Sequence, residues 1–145
     1  MKIVILDGRA LNPGDLSYEP LRQFGELTVY DRTDTVEEAI ARIGDSEIVL
    51  VNKLPVTEQL LTACPGIRLV CVQATGYNTV DCAACARRGI PVTNVPTYGT
   101  AAVAQFTFAL MLELCHRVGH HDALVRAGRW KTCGAFCFWD TPQME

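Results

Sequence analysis

Short β-branched runs alternate with helical stretches along the first two thirds of this chain, and that alternation limits the fold more than any single motif. Residues 3–6, Ile3-Val4-Ile5-Leu6, form a near-continuous apolar run, as in a strand buried on both faces. Residues 27–30, 48–51, 69–72 and 91–93 read as four further strands. Between them lie a loop containing Gly8, Asn12, Pro13 and Gly14, a short helical stretch over 20–24, and helices over 36–43, 57–63 and 80–88. Thr35 is placed to cap the 36–43 helix, with Glu38 completing a capping box. Gly89 suits a left-handed stop to the 80–88 helix. Strands separated by helices of this length pair in parallel through right-handed crossovers. The expected fold is α/β, a flavodoxin-like, doubly wound five-stranded parallel sheet. Ligands bind such sheets outside the carboxyl ends of the strands, which singles out the loops 7–12, 52–54, 73–78 and 94–99.

The next segment differs in character. A long helix is expected over 101–118, with Thr100 as its cap. Its apolar residues cover nearly the whole circumference, interrupted by Gln105, Thr107 and Glu113. It is shorter than the roughly 20 apolar residues of a membrane span. A helix apolar all round expects cover all round, and a sheet covers one side only. A second domain or a second chain is therefore expected on the other. A short helix over 122–127 follows. The tail is rich in aromatic residues (Trp130, Phe136, Phe138 and Trp139), which points to docking on a partner surface.

Charge and cysteine usage exclude several classes. The net charge of −3 supplies no basic field for nucleic acid or an anionic membrane. The first apolar run is too short for a signal peptide and meets Asp7 at once, so a cytoplasmic protein is expected. The seven cysteines then read as reduced thiols. Cys82 and Cys85 have the spacing of a redox pair, but they lie within a helix capped near Asp81, where an acid opposes a thiolate. The spacing of Cys115, His116, His120, His121, Cys133 and Cys137 fits no zinc finger or ribbon, and no metal is expected. His120 and His121 are expected near a helix C-terminus, where positive charge is welcome.

Autonomous doubly wound proteins are also poor matches. The first loop lacks the hydroxyl residues of a flavodoxin phosphate loop. A receiver domain needs an acidic pair after strand one and an aspartate after strand three, where this chain has only Asp7 and then Asn52. No G-x-G-x-x-G exists in the 145 residues, so no dinucleotide cradle is expected from this chain alone. The loop Gln73-Ala74-Thr75-Gly76-Tyr77-Asn78 is more informative. Small residues at a strand's carboxyl end can aim successive backbone N–H groups at an anion, and Lys53 could add positive charge on the same rim. An ordinary strand-to-helix connection is the competing reading.

Three ordered blocks carry a resemblance: residues 74–81 (ATGYNTVD), 88–96 (RGIPVTNVP) and 103–105 (VAQ). Together they resemble the NAD-dependent D-isomer-specific 2-hydroxyacid dehydrogenases. Residues 51–55 (VNKLP) and 136–140 (FCFWD), with Gln105 where many members carry Glu, look most like the glycerate dehydrogenase or hydroxypyruvate reductase branch. The resemblance implies a substrate-binding domain over 1–99, incomplete because the family adds a returning C-terminal segment. It further implies an interdomain helix over 100–118 and an arm over 119–145 leading towards a nucleotide-binding domain. The substrate, a small 2-hydroxy or 2-keto acid, would be held by Ala74, Thr75 and Gly76, with Asn52, Lys53 and Tyr98 nearby. Val103 would face the nicotinamide of NAD in the complete enzyme, with no cofactor tightly bound to this chain alone. The family's carboxylate-binding arginine and its acid–histidine pair lie further on, so no catalytic residue is assigned here. The chain alone is expected to be inactive, and to form a homodimer or higher oligomer through 101–118 and 128–140. A stand-alone carboxylate-binding or dimerisation module, and a non-functional remnant, are the competing expectations.

Overall fold

The computed structural model describes residues 1–140. Five parallel strands, β1 (Lys2–Ile5), β2 (Glu26–Val29), β3 (Ile48–Val51), β4 (Leu69–Val72) and β5 (Val92–Thr93), form one sheet in the order β2-β1-β3-β4-β5. This is the flavodoxin-like order that the strand-and-helix alternation predicts.

Period-two alternation divides each strand between two apolar layers. Val4, Leu6, Val49, Val51, Val70 and Val72 point to one face, where three helices cover them: α2 (Val36–Ile43), α3 (Glu58–Ala63) and α4 (Cys82–Arg87). Leu60 and Leu61 of α3 and Ile43 of α2 fill this layer and are essentially excluded from solvent. Burying each of these side chains stabilises the fold by roughly 1.5–3 kcal/mol. Ile3, Ile5, Leu27 and Leu50 form the opposite layer, under Tyr18 and Leu21. Leu21 belongs to a 3-10 segment, Glu19–Phe24, where the sequence suggested a short helix.

The loops are fixed by side-chain oxygens. Thr35 Oγ1 accepts from Glu38 N at 3.1 Å, Thr57 Oγ1 from Leu60 N at 3.3 Å, and Asp81 Oδ1 from Ala84 N at 2.9 Å. The expected capping box at Thr35 closes only by half. Glu38 Oε2 accepts from Asp34 N at 3.0 Å instead of from Thr35 N. The expected loop after β1 begins with one helical turn, α1 (Gly8–Leu11), too short to leave a periodic signature. Gly8 is obligatory there: a Cβ would lie 2.7 Å from Val29 Cγ1, since Gly8 N donates to Tyr30 O at 2.9 Å. Gly89, at φ +68, ends the α4 segment as expected.

The chain divides into two compact units, Met1–Tyr98 and a second beginning at Gly99. The second opens with α5 (Thr100–His116), which starts from Gly99 with no side-chain cap, so Thr100 is a helical residue rather than the cap. Arg117 is left-handed (φ 48, ψ 49), ending the expected 101–118 helix at His116 and starting α6 (Val118–Arg126) at once. The two helices bend by 56° at this break, and no single helix among the described residues is long and apolar enough to cross a membrane. His120 and His121 therefore sit in the first half of α6, not at a helix C-terminus. After left-handed Gly128 comes α7 (Arg129–Thr132), a single turn that the sequence reading passed over.

The tail folds partly on itself. Phe138 packs against Trp130 (ring centroids 5.9 Å apart) and His121 (5.6 Å), with the Arg129 guanidinium 5.1 Å from its centroid. Asp140 accepts from His120 Nε2 at 2.8 Å and pairs with Arg129. Part of the aromatic content expected to dock elsewhere is thus used locally, while Phe136 and Trp139 stay exposed. Residues 141–145 of the expected arm lie outside the described residues.

Candidate functional site

Strand register lines up the carboxyl ends. Ile5, Leu50, Cys71 and Thr93 are successive cross-strand partners, so Asp7, Asn52, Gln73 and Val95, each two residues further on, form the next tier. Hydrogen bonds knit this tier together. Asp7 Oδ2 accepts from the backbone N–H groups of Asn52 (2.9 Å), Lys53 (3.1 Å) and Leu54 (3.5 Å). Asn52 Nδ2 reaches Gln73 O at 3.5 Å, and Gln73 N donates to Val51 O at 2.8 Å.

The loop after β4 is pinned along one side. Val95 N donates to Ala74 O at 3.0 Å, Thr75 Oγ1 to Val95 O at 3.2 Å, and Asn94 Nδ2 to Thr75 O at 2.8 Å. No protein group among the described residues accepts from the backbone N–H groups of Thr75, Gly76 or Tyr77, and all three residues are exposed. A turn whose carbonyls are engaged and whose successive N–H groups are free presents a partial positive charge to an anion. Gly76 keeps the turn tight, since a Cβ there would stand 3.2 Å from Asn78 Oδ1.

Two clefts flank this rim. One, of about 350 Å³, is lined by Gln73, Asn94, Val95 and Tyr98, with Leu11 and Leu16 opposite. Asn12 builds the Leu16 wall: its Oδ1 accepts from Gly14 N and Leu16 N, both at 3.0 Å, and its Nδ2 donates to Leu16 O at 2.6 Å. The other, of about 360 Å³, is more polar and holds Lys53 with Asp7, Arg32 and Asp34. Among the residues named from the sequence, Asn52, Ala74, Thr75 and Gly76 thus lie on one connected rim, and Tyr98 faces the cleft beside it. Lys53 leaves the same turn but opens on the second cleft. Val103 lies in α5 of the other unit, exposed.

Sequence reasoning placed Asp7, Gln73, Asn94 and Asn12 in the strand-end loops but gave none of them a role. Position relative to the strand ends was the available signal for the first three, and the Asn-Pro-Gly turn for the last. Gln73 Oε1 is buried without a hydrogen-bond partner among the described residues. Thr97, just before Tyr98, is held at φ +63, a conformation that costs a β-branched residue free energy. Cys85 is not part of the rim: burial pushes its thiol up, with Cys82 and Asp81 acting in the same direction. That environment keeps the Cys85 thiol protonated and fits a packing role.

The β4 loop thus presents free N–H groups at the carboxyl edge of a flavodoxin-like α/β sheet. The chain belongs to the family described as D-isomer specific 2-hydroxyacid dehydrogenase, catalytic domain, whose model matches residues 3–137. It is 54% identical over 147 aligned positions to a hydroxypyruvate reductase of Blautia hydrogenotrophica, covering 100% of this chain and 46% of that protein. It is 33% identical to a glycerate dehydrogenase of Methylorubrum extorquens, covering 97% and 44%. Its fold matches a solved acyclic imino acid reductase in complex with NADPH and D-Arg at a TM-score of 0.72 and 25% identity, over 88% of this chain and 41% of that one. The chain thus spans a little under half the length of the curated relatives it matches.

Proposed function

We propose that this chain is the substrate-holding part of an NAD-linked oxidoreductase that interconverts a small 2-keto acid, hydroxypyruvate or glyoxylate in kind, with its D-2-hydroxy acid. The observation that carries the reading is the set of free N–H groups at Thr75, Gly76 and Tyr77, in a turn pinned from behind by Asn94 and Val95. A carboxylate there gains charge-assisted hydrogen bonds without displacing any protein acceptor. Ala74 and Asn52 complete this wall, Lys53 adds positive charge at its edge, and Tyr98 closes the cleft beside the bound acid. The printed names of the relatives supply the keto-acid class, and 54% identity to a hydroxypyruvate reductase favours that branch.

The described residues do not fit a dinucleotide by themselves. None of the strand-to-helix turns carries the G-x-G-x-x-G that lets backbone approach a pyrophosphate, and the candidate cofactor contact, Val103, lies in the second unit. Their part is to bind and orient the carboxylate. Residues 1–99 act as the substrate domain, 100–118 as the interdomain helix and the remainder as an arm. The seven free cysteines support a reducing, cytoplasmic setting.

The test pairs binding with turnover. Titrating the 145-residue chain with hydroxypyruvate is expected to move the amide resonances of Thr75, Gly76 and Tyr77. Mixing it with NADH and hydroxypyruvate is expected to give no loss of NADH absorbance, because hydride transfer requires reacting carbons held within about 3–3.5 Å by both walls of a cleft. Unmoved resonances, or measurable turnover, would overturn the reading.

A further inference from the structure

The order β2-β1-β3-β4-β5 has its topological switch point between β1 and β3. The 3-10 segment between β1 and β2 covers one face, and α2, α3 and α4 cover the other. Sheets of this order take ligands, phosphates among them, in the crevice beyond that point. Here the crevice is filled from within. Three successive N–H groups, of Asn52, Lys53 and Leu54, converge on Oδ2 of Asp7 at 2.9, 3.1 and 3.5 Å. Asp7 is only 7% exposed, so these bonds rather than water hold its carboxylate.

We infer that Asp7 is a positioning residue for the rim. Its carboxylate stands where a ligand's anion lies in other sheets of this order, and it sets the 52–54 turn around itself. Two consequences follow from the geometry. The three N–H groups at the switch point are taken by Asp7 and closed to an external anion, so an incoming carboxylate is directed one strand over, to the free N–H groups of the β4 loop. The turn also fixes how Asn52 extends to Gln73 O and where Lys53 leaves the backbone. The redirection of a carboxylate to the β4 loop rests on the proposed keto-acid reading; the occupation of the three N–H groups and the setting of the turn do not.

The experiment compares Asp7→Ala and Asp7→Asn with the unaltered protein by ¹⁵N–¹H spectroscopy. In Asp7→Ala the amide resonances of Asn52, Lys53 and Leu54 are expected to move. Sodium formate, a carboxylate small enough for the vacated place, is expected to return them in a saturable titration. The same formate should leave these resonances still in the unaltered protein. Asp7→Asn keeps an oxygen acceptor and loses the charge, so smaller shifts in the same three amides are expected, with no formate response. If Asp7→Ala does not fold, Asp7→Asn carries the test through these shifts without formate, and unmoved 52–54 amides in it overturn the switch-point role. Hydroxypyruvate affinity at Thr75–Tyr77 should fall about tenfold to a hundredfold in Asp7→Ala, the scale of a small misplacement, and formate should restore it. If formate restores thermal stability without affinity, Asp7 is merely structural and the positioning role is overturned. If formate leaves the three amides unmoved, the switch-point role is overturned as well. If the unaltered protein ignores hydroxypyruvate altogether, the proposed function fails, and the formate response still decides whether Asp7 fills the switch point.

Discussion

At the scale of single residues, close approach of backbones decides more than side-chain chemistry. Gly8 is the clearest case. Its N–H bonds to Tyr30 O, and the space a Cβ needs is taken by Val29. Gly8→Val should therefore cost about 1–3 kcal/mol, as overpacking does, and lower the denaturant midpoint without changing the cooperativity slope. A midpoint within error of the unaltered protein would show that β2 can yield. Gly8 also follows Asp7 directly, so spectra of the variant should show whether the 52–54 amides move with it. The sequence made the rim legible only in part at this scale. Thr75 and Gly76 stood out because small residues followed an apolar run. Asp7 did not, because its partners are backbone groups 45 to 47 residues away, and nothing in local spacing announces them. Asn94 was hidden for the same reason: its bond to Thr75 O exists only once β4 and β5 are side by side.

At the scale of elements, the strands and the caps at Thr35 and Asp81 were readable, while the cap expected at Thr100 and the break at Arg117 were misjudged. The β-branched runs mark the strands to within a residue or two, since burial on both faces leaves an apolar signature. The side-chain caps Thr35, Thr57 and Asp81 stand where their helices begin. The stop at Arg117 left no trace, because an arginine in a left-handed conformation looks like any other helical arginine in sequence. The α3–α4 pair offers a test with a definite sign. Glu58, at the start of α3, pairs with Arg88 and Arg87 across to α4. These two guanidinium groups, Arg88 first, hold its carboxyl below the ordinary glutamate range. A depressed carboxyl pKa contributes stability that is present above the ordinary value of 4.5 and is lost as the pH falls through the lowered value. The contribution is small, because the pair is exposed to solvent and salt. The melting temperature of Glu58→Gln should lie slightly below that of the unaltered protein at pH 7 and converge with it as the pH falls from 4.5 through the lowered carboxyl range. Parallel curves down to acid would mean that the pair adds nothing specific.

At the scale of the whole molecule, the decisive feature is α5. Phe106, Phe108, Leu110, Met111, Leu112 and Leu114 are all more than half exposed, and no residue of the helix is buried. A contiguous apolar surface on a helix of 17 residues is well beyond the scattered apolar groups that a monomer tolerates. The composition is also wrong for a helix that faces water on one side, since apolar residues run round its circumference. Self-association is therefore expected for the 145-residue chain, with α5 at the contact. Size-exclusion chromatography with light scattering should report a dimer or higher species at micromolar concentration. Leu110→Glu and Phe108→Glu, two residues apart and so on opposite sides of the helix, should each shift the distribution towards smaller species without altering the amide spectrum of residues 1–98. The two variants also separate the competing readings. A clean dimer that dissociates with either substitution supports an interface built on α5. Polydisperse aggregates that become soluble only when both are introduced support a surface that needs a second domain for its cover. A well-behaved monomer before any substitution would remove the argument from α5 altogether and leave the proposed function resting on the free N–H groups of the β4 loop.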